Sequence, residues 1–203
     1  MKVELHLHTS RYSACATAGP SEMAERLVQA GYEAVYITEH DAVWSEMEIA
    51  QLQAGFPEIR IFPGVELSLG DEFTRHLLVL GTSDPEYVRL RREAEVLGKA
   101  RAEGHLTVLA HPFRWPGGPE MLEAGLLPDA IEYRAGNQPH PDQAALAEAA
   151  AAKYGLALVN AGDTHGPASL GRYWIETDRP LQHPRDIRAV VLNDQYVNWI
   201  ADR

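Results

Sequence analysis

Short apolar runs alternate with amphipathic or alanine-rich stretches along the whole chain. The runs favour β-branched and aromatic residues, as in Val35-Tyr36-Ile37, and therefore predict strands. The predicted strands cover residues 3–7, 34–38, 59–62, 65–69, 76–80, 107–110, 130–133, 157–161 and 173–177. The stretches between them predict helices over residues 20–30, 46–54, 85–103, 141–154 and 184–192. Pro63-Gly64 separates residues 59–62 from 65–69, and we expect residues 76–80 to form a hairpin with 65–69.

This alternation of strand and helix predicts an α/β fold in which helices connect parallel strands. With roughly seven of these nine runs as barrel strands, the 203 residues are short for an eightfold barrel of about 250 residues. The sequence therefore predicts a small or distorted barrel, with an open doubly wound sheet as the alternative. We expect the whole chain, residues 1–203, to form a single domain.

The composition is that of an ordinary water-soluble globular protein. Hydrophobic residues make up 45% and charged residues 23% of the chain, so a sizeable core is expected. No apolar run approaches the roughly 18 residues that a transmembrane helix needs. The first ten residues lack a signal-peptide pattern, and Cys15 is the only cysteine, which excludes an internal disulfide. We therefore expect a cytoplasmic location without membrane attachment.

The charge balance narrows the range of partners. There are 18 basic and 29 acidic residues, which give a formal net charge of −11. Binding to long nucleic acid depends on neutralising phosphates with Lys and Arg, so we do not expect it here. Short oligonucleotides and small phosphorylated substrates remain compatible with this charge, because bound divalent cations can supply the positive charge.

Histidines and carboxylates gather where the predicted strands end. In parallel α/β folds the carboxyl ends of the strands form one face, and that face carries the functional site. The residues concerned are His6, His8, Glu39, His40, Asp41, Glu66, His76, His111, Glu132, Asp163 and His165. The other three histidines, His105, His140 and His183, stand in helix-end or loop contexts, where we expect ordinary structural roles.

The spacing of the first pair indicates a metal site. In a strand, residues two apart point to the same side, so His6 and His8 can grip one ion. Histidine together with Asp or Glu suits Zn, Mn or Fe. A single ion takes about four to six ligands. Eight candidate ligands therefore indicate two or three divalent ions, which a shared carboxylate can bridge.

Five motifs in this order resemble the polymerase-and-histidinol-phosphatase (PHP) family. They are His6-Leu7-His8-Thr9, Thr38-Glu39-His40-Asp41, Pro63-Gly64-Val65-Glu66, Ala110-His111-Pro112 and Gly162-Asp163-Thr164-His165. The resemblance runs from about residue 1 to residue 180. It implies a distorted seven-stranded, TIM-like (β/α)7 barrel with a bi- or trinuclear metal centre at the C-terminal strand ends. It also implies hydrolysis of phosphoesters.

Carried over position by position, the resemblance implies a ligand set for each ion. One ion is held by His6, His8, Glu66 and Asp163; Glu66 bridges to a second, completed by His76 and His111; and His40 and His165 bind a third. Glu132 is implied as a near-site residue. The family often has an acid or histidine just after its first motif, whereas this chain has only Cys15 as a replacement candidate there. A further departure is Glu39, where an aspartate is common.

The predicted activity is that of a metal-dependent phosphoesterase acting on a small phosphorylated metabolite or nucleotide through metal-activated water. Asp163 and His165 can also pass a proton to the leaving alkoxide. Arginine suits phosphate because its planar fork donates two hydrogen bonds. Arg114, three residues after His111, is the first candidate for this role, and the others beside the motifs are Arg134, Arg11 and Arg172.

Two alternative functions remain open from the sequence. The first is an amidohydrolase-like metal hydrolase, which usually relies on a carbamylated lysine. The three lysines, Lys2, Lys99 and Lys153, do not stand at plausible strand ends, which disfavours it. The second is a non-catalytic metal-binding protein of the same family that kept its ligands and lost turnover. Metal-dependent hydrolysis of p-nitrophenyl phosphate or its bis-ester distinguishes this second alternative from the phosphoesterase.

Overall fold

Nine strands form one sheet in the computed structural model, which describes residues 1–70, 72–138, 140 and 142–201. The strands are β1 (Lys2–Leu7), β2 (Ala34–Ile37), β3 (Arg60–Leu69), β4 (Arg75–Leu80), β5 (Leu106–Leu109), β6 (Ala130–Glu132), β7 (Ala157–Val159), β8 (Tyr173–Thr177) and β9 (Tyr196–Ile200). Their spatial order is β7-β6-β5-β4-β3-β2-β1-β8-β9.

Six α-helices cover this sheet within the described ranges. They are α1 (Pro20–Gln29), α2 (Glu46–Gly55), α3 (Glu93–Glu103), α4 (Gly117–Glu123), α5 (Gln143–Tyr154) and α6 (Asp186–Leu192). Two 3₁₀ helices span Tyr87–Arg89 and Pro167–Ser169. None of the helices in these ranges is long and apolar enough to cross a membrane.

The predicted α/β class and barrel shape are confirmed, but the predicted seven-stranded (β/α)7 topology is not. The pairs β1–β2, β2–β3, β5–β6 and β6–β7 are parallel. Strand β4 runs antiparallel to both of its neighbours, and β8 runs antiparallel to β1 and β9. The sequence missed β9 because Asn198 interrupts its apolar residues and several of its side chains are exposed.

The sheet is nearly closed at one end by side chains rather than by a backbone ladder. The Asn198 side chain on β9 donates to the Leu158 carbonyl of β7 at 2.8 Å. It also accepts from the backbone N–H of Asn160 at 2.6 Å. The Tyr196 hydroxyl donates to the same Leu158 carbonyl at 2.7 Å. These bonds join the two edge strands, so the open doubly wound alternative does not describe this sheet.

At the carboxyl end of β1, backbone hydrogen bonds join this strand directly to the segment that follows β7. The N–H of His8 donates to Thr164 O at 2.9 Å, and the N–H of Thr164 donates to His6 O at 3.1 Å. The end of β1 therefore lies beside the segment that follows β7. This closure brings the first and last of the histidine motifs together.

Strand β3 is continuous, although Pro63-Gly64 predicted a break. Residues 60–63 pair with β2, whereas residues 64–69 pair with β4 on the other side. Proline removes only its own N–H. Because β3 changes its main partner at this point, neither ladder is interrupted. The predicted hairpin between residues 65–69 and 76–80 is present as β3–β4.

The long helix predicted over residues 85–103 is wrong. The chain instead forms a 3₁₀ turn at Tyr87–Arg89, is extended at Leu90 and continues as α3. In an unbroken helix Tyr87 and Glu103 would be about 24 Å apart. The Tyr87 hydroxyl donates to Glu103 at 2.8 Å, and the ring is fully buried, so the turn packs back against α3.

Two further helix boundaries bear on the predictions. The helix predicted over residues 141–154 is observed as α5, and Pro141, its predicted first residue, lies outside the described residues. The sequence missed α4 altogether. The Pro/Gly-rich stretch before and within α4 predicts a loop, and tertiary packing overrides this local preference.

Both sides of the sheet are buried near its centre. In β4, Leu78 and Leu80 belong to the apolar cluster that includes α6 side chains. Their neighbours Leu77 and Val79 face a second cluster formed with α3, α4 and α5. A strand that is buried on both faces reads as a continuous apolar run, which explains why the sequence identified this element easily.

Asn198→Ala should lower the free energy of unfolding by about 1–3 kcal/mol, because it removes two hydrogen bonds and leaves the Asn160 N–H without its acceptor. Asn193→Ala is the matched control, since its amide bonds only Ala189 O at the exposed end of α6. Urea unfolding of both variants measures the difference. Equal losses in the two variants would contradict closure by Asn198.

Candidate metal centre

Glu66 lies at the centre of the histidine cluster. It is fully buried in β3, with its carboxylate turned toward five imidazoles. Oε2 lies 3.1 Å from Nε2 of His6, Nε2 of His8 and Nδ1 of His40, and Oε1 lies 2.8 Å from Nδ1 of His76 and 3.3 Å from Nε2 of His111. One carboxylate thus contacts histidines from four separate segments of the chain.

Asp163 adds a second carboxylate on the other side of the first histidine pair. Its Oδ1 lies 3.4 Å from Nε2 of His6, Nε2 of His8 and Nδ1 of His165. The two Nε2 atoms of His6 and His8 are themselves 3.0 Å apart. All eight ligand candidates named from the sequence therefore meet in one place.

The described chain contains three groups of residues whose donor atoms, within each group, all lie within 4.8 Å of one another. They are His6-His8-Asp163, His40-Glu66-His76 and His8-His40-His165. The resemblance assigned His40 to the third ion with His165, but the geometry also brings His40 beside Glu66 and His76. The number of ions and the partition of ligands among them stay predictions.

Two of these residues have a positive φ angle, a backbone conformation that residues other than glycine rarely adopt. His111 has φ +30° and Asp163 has φ +46°. Such conformations cost of order 1–3 kcal/mol each and persist only where the surroundings hold them. The N–H of His111 donates to Glu132 at 2.6 Å, and the N–H of Gly162 donates to Glu4 at 2.7 Å. Buried carboxylates therefore hold both strained turns.

Glu132, expected near the site, lies directly behind His6. Its Oε1 accepts from Nδ1 of His6 at 2.7 Å, while its Oε2 accepts from the N–H of His111. With Nδ1 bonded to Glu132, the nitrogen of His6 that faces Glu66 and Asp163 and can bind a metal is Nε2. Glu132 therefore orients one ligand imidazole and anchors the segment that carries another.

Glu39 likewise accepts several hydrogen bonds, which hold the loop after β1. It accepts from Thr9 N at 3.0 Å, from Ser13 Oγ at 2.6 Å and from Trp44 Nε1 at 3.2 Å. Ser13 Oγ in turn accepts from the N–H of His40 at 3.1 Å and lies 3.2 Å from Nδ1 of His8. The aspartate common at this position is thus replaced by a longer acid that is fully paired.

Sequence reasoning missed Glu4 as a site residue. It is fully buried and accepts from the N–H groups of Gly162 and His6. Burial raises its pKa to about 7, against the opposing effect of those two hydrogen bonds. The available signal was its position two residues before His6, which places both side chains on the same side of β1.

The cluster contains five buried acidic side chains. Glu4, Glu39, Glu66 and Glu132 are fully buried and Asp163 nearly so, and within the described chain none of the five pairs with a lysine or arginine. Unpaired buried charges are costly, so such a set needs compensating positive charge.

The pKa values of the histidines reflect this charge. Burial opposes protonation of His6, but the charges of Asp163, Glu66 and Glu132 outweigh burial and raise its pKa well above the ordinary value. The pKa of Glu66 lies well below its usual range, because its histidine contacts outweigh burial. His40, by contrast, is desolvated, which lowers its pKa to about 4.

The residues present fit divalent metal ions. Oε2 of Glu66 makes no well-directed hydrogen bond with the three ring nitrogens 3.1 Å away, and Oδ2 of Asp163 is likewise buried without a donor, as expected for oxygens that face cations. Imidazole and carboxylate donors together suit Zn, Mn or Fe. Cations at these donors would provide the positive charge that the five buried carboxylates require.

A cavity of about 480 Å³ opens onto the ligand cluster. His40, His76, His111, Asp163 and His165 line its floor. The other lining residues are Cys15, Arg114, Trp115, Gly136, Asn137 and Ser169. A larger groove of about 1190 Å³ lies beside α2 and contains none of the eight ligand candidates.

The four candidate arginines separate into one inside and three outside this cavity. Arg114 lines the wall, with its guanidinium 4.4 Å above the Trp115 ring. Arg11 bonds Glu48 and stacks on Trp44, away from the cluster. Arg134 and Arg172 lie over Tyr133 and Tyr173, and neither lines the cavity.

Cys15 lines the cavity and is exposed, as a replacement ligand would require. Partial burial, with the nearby charges of Glu66 and Asp163, raises its pKa, which disfavours the thiolate in this protein. Its sulfur belongs to none of the three donor groups found in the described chain. The histidines expected to be structural, such as the buried His105, also lie outside these groups.

Comparison with known proteins gives matches at both the sequence and the structure level. No protein-family model matches the chain. A DNA polymerase III PolC-type from Clostridium perfringens is 37% identical over 90 residues, which are 43% of this chain and 6% of that protein. An error-prone DNA polymerase from Mycobacterium tuberculosis is 32% identical over 98 residues, 44% of this chain and 9% of that protein. The chain thus corresponds to a small part of each polymerase.

Solved structures match the whole fold. A two-domain protein from Bacteroides vulgatus, containing a predicted PHP-like metal-dependent phosphoesterase, superimposes with a TM-score of 0.73 and 18% identity over 98% of this chain and 64% of that one. The chain has the PHP-type fold. The resemblance drawn from the five motifs is thereby confirmed.

Two further solved structures superimpose on this chain and are described with different activities. An amidohydrolase from Chromobacterium violaceum gives a TM-score of 0.68 at 15% identity, covering 97% of this chain and 98% of that one. A lesion-specific endonuclease from Pyrococcus furiosus gives 0.65 at 16% identity, covering 95% of this chain and 56% of that one.

After reconstitution with Mn²⁺, the protein should hold at least two ions per chain, because eight donor side chains converge and one ion takes about four to six. Glu66→Gln should reduce this content more than His165→Ala, since Glu66 contacts five histidines. Elemental analysis after gel filtration measures both variants, with exposed Glu58→Gln as control. Less than one ion per chain in the unaltered protein would contradict the multinuclear centre.

Glu132→Gln should weaken metal affinity by about ten- to hundredfold, the usual effect of losing a partner that orients a ligand. The amide keeps the size of the side chain but not the charge that faces His6. Competition with a fluorescent chelator measures the affinity, and Glu148→Gln, on the exposed face of α5, is the control. An affinity equal to that of the control variant would rule out the orienting role.

Proposed function

We propose that the protein is a metal-dependent phosphoesterase that hydrolyses a small phosphorylated metabolite or nucleotide through a metal-activated water. The observation that carries this proposal is the joint position of two elements. Five of the eight candidate ligands line the cavity, the other three lie directly beneath them in the same cluster, and Arg114 lines the cavity beside them. The PHP-like phosphoesterase in the Bacteroides vulgatus structure supports the same reaction class.

The chain's own residues would hold two or three divalent ions. His6, His8, Glu66 and Asp163 would bind the first, Glu66 with His76 and His111 the second, and His40 with His165 a third. Bound cations of this kind lower the pKa of water toward neutrality and offset charge on phosphoryl oxygens. Glu132 keeps the imidazole of His6 in the tautomer that can act as a ligand.

Arg114 is the residue we assign to the substrate phosphate. Its guanidinium can donate two parallel hydrogen bonds to phosphoryl oxygens, which fixes the orientation of the ester. The cavity volume of about 480 Å³ is in the range of small-molecule sites. The wall arginine and the ligand floor would therefore hold a phosphate between them.

Asp163 and His165 are also candidates for protonating the leaving alkoxide. Burial, together with the nearby His8, lowers the pKa of His165, which favours the neutral imidazole. The pKa of Asp163 lies below its usual range, because the charge of His6 and the hydrogen bond from His8 outweigh burial. Both directions favour metal ligation over proton donation for these two residues.

An amidohydrolase-like reaction is the first alternative, supported by the Chromobacterium violaceum structure. A bridging carbamylated lysine is not available here. Lys2 donates to Ala30 O outside the cluster, Lys99 pairs with Asp84, Glu86 and Glu103, and Lys153 lies over Tyr154. The carboxylate of Glu66, which faces five imidazoles, would take the bridging role instead.

Action on DNA or a short oligonucleotide is a second alternative, supported by the endonuclease and polymerase matches. The net charge of −11 disfavours a long polyanion. A panel of phosphorylated metabolites, nucleotides and short oligonucleotides, assayed with Mn, Zn and Fe, tests all these substrates. Hydrolysis that requires metal and is lost in Glu66→Gln supports the proposal. A metal-loaded protein without turnover of any ester favours a non-catalytic metal-binding protein.

Arg114→Ala should lower kcat/KM for a phosphate ester by about ten- to hundredfold, mainly through KM, because one charge-assisted hydrogen bond is worth about 1.5–3 kcal/mol. Arg114→Lys should recover part of the loss, since it keeps the charge without the fork. Steady-state kinetics with p-nitrophenyl phosphate or its bis-ester gives both constants. Arg172→Ala is the control, and metal content should stay unchanged in all three variants. If Arg114→Ala has the kcat and KM of the wild type, the proposed role of Arg114 in binding phosphate is wrong.

A further inference from the structure

Trp115 stands between the wall arginine and two ligand histidines. One ring contact is with the Arg114 guanidinium, whose carbon lies 4.4 Å from the indole. The indole centroid also lies 5.1 Å from the ring of His76 and 5.3 Å from that of His111. The Trp115 side chain therefore contacts both the arginine proposed to bind phosphate and the two histidines proposed to bind the second ion.

Arg114 stacks on an aromatic ring rather than pairing with a carboxylate, as Arg134 and Arg172 also do, but of these three arginines it is the one that lines the cavity. Arg75 pairs with Glu93 and Glu120, and Arg188 pairs with Asp129. Within the described residues Arg114 makes no such ion pair, and its guanidinium lies over the Trp115 ring. A carboxylate would compete with a phosphate for the guanidinium, whereas an aromatic face holds the cation and leaves its N–H donors free.

The segment 112–118, which carries Arg114 and Trp115, packs closely on itself and against Thr74 and Arg75. Gly118 packs so closely on Pro112 O that a Cβ there would clash, and Gly117 is similarly close to Thr74. Arg75 donates to Gly117 O at 3.2 Å. At the loop's start, the N–H of Arg114 donates to His111 O at 3.0 Å. These contacts anchor residues 112–118 to the neighbouring segments.

We propose that Trp115 is a positioning residue, which holds the Arg114 guanidinium in the cavity and couples its location to the imidazoles of His76 and His111. This inference rests on the proposed function, because it gives Arg114 a phosphate to bind. Trp115 itself needs no contact with the substrate. Its effect on phosphate binding should therefore pass through Arg114.

A double-mutant cycle tests this coupling. Trp115→Leu should weaken binding of inorganic phosphate to the Mn-loaded protein by about two- to thirtyfold, the range expected for loss of a cation–π contact. Trp115→Phe should recover much of the loss, because it keeps an aromatic face. In the Arg114→Ala background, Trp115→Leu should have little further effect on phosphate binding. Calorimetry measures binding, and elemental analysis verifies equal metal content.

The kinetic readout should follow the same pattern. For a hydrolysed ester, Trp115→Leu should raise KM more than it lowers kcat. Equal effects of Trp115→Leu with and without Arg114 would overturn the proposal, as would a Phe variant as weak as Leu. Loss of metal rather than of phosphate affinity would show a purely structural role and also overturn it. Because phosphate binding is measured without turnover, failure of the proposed hydrolysis stays distinguishable from failure of this coupling.

Discussion

The structure depends on the compensation of negative charge that is buried at the carboxyl ends of the parallel strands. Five carboxylates lie there without lysine or arginine partners in the described chain, and six imidazoles face or flank them. Burying a carboxylate without a partner would cost several kcal/mol. The arrangement is stable only because each acid meets N–H donors, imidazoles or the cations that the donor set fits.

The acids of the cluster divide into two layers with different tasks. Glu66 and Asp163 face the histidine nitrogens directly and keep buried oxygens without donors. Glu4, Glu39 and Glu132 stand behind them and accept backbone N–H groups of the segments that carry ligands. This outer layer holds the strained turn at His111 and anchors the Gly162 N–H beside Asp163.

The departure from a regular barrel helps to build the site. A ligand in a parallel strand is expected at the carboxyl end, yet His76 lies at the start of β4. Because β4 runs antiparallel to β3, its first residues lie at the same end of the sheet as the carboxyl ends of the parallel strands. His76 thereby reaches Glu66, which stands on the neighbouring strand at 2.8 Å.

The sequence by itself determined the α/β class, the position of most strands and the eight ligand candidates. Strand periodicity places His6 and His8 on one side of β1, and the order of five motifs points to one fold. It also placed Glu132 near the site. These features are local, or depend on strand ends sharing one face, so they can be read without distances.

Tertiary structure alone decided how the sheet closes and which side chains support the ligands. Closure by Asn198, the change of partner along β3 and the reversal of β4 depend on residues far apart in sequence. The same holds for Glu4, whose partner Gly162 is 158 residues away. The sequence ranked Arg114 first among four arginines, but only the structure shows that Arg114 lines the cavity beside Trp115, whereas Arg11 pairs with Glu48. Long-range packing chooses among such options because each local segment alone is compatible with several of them.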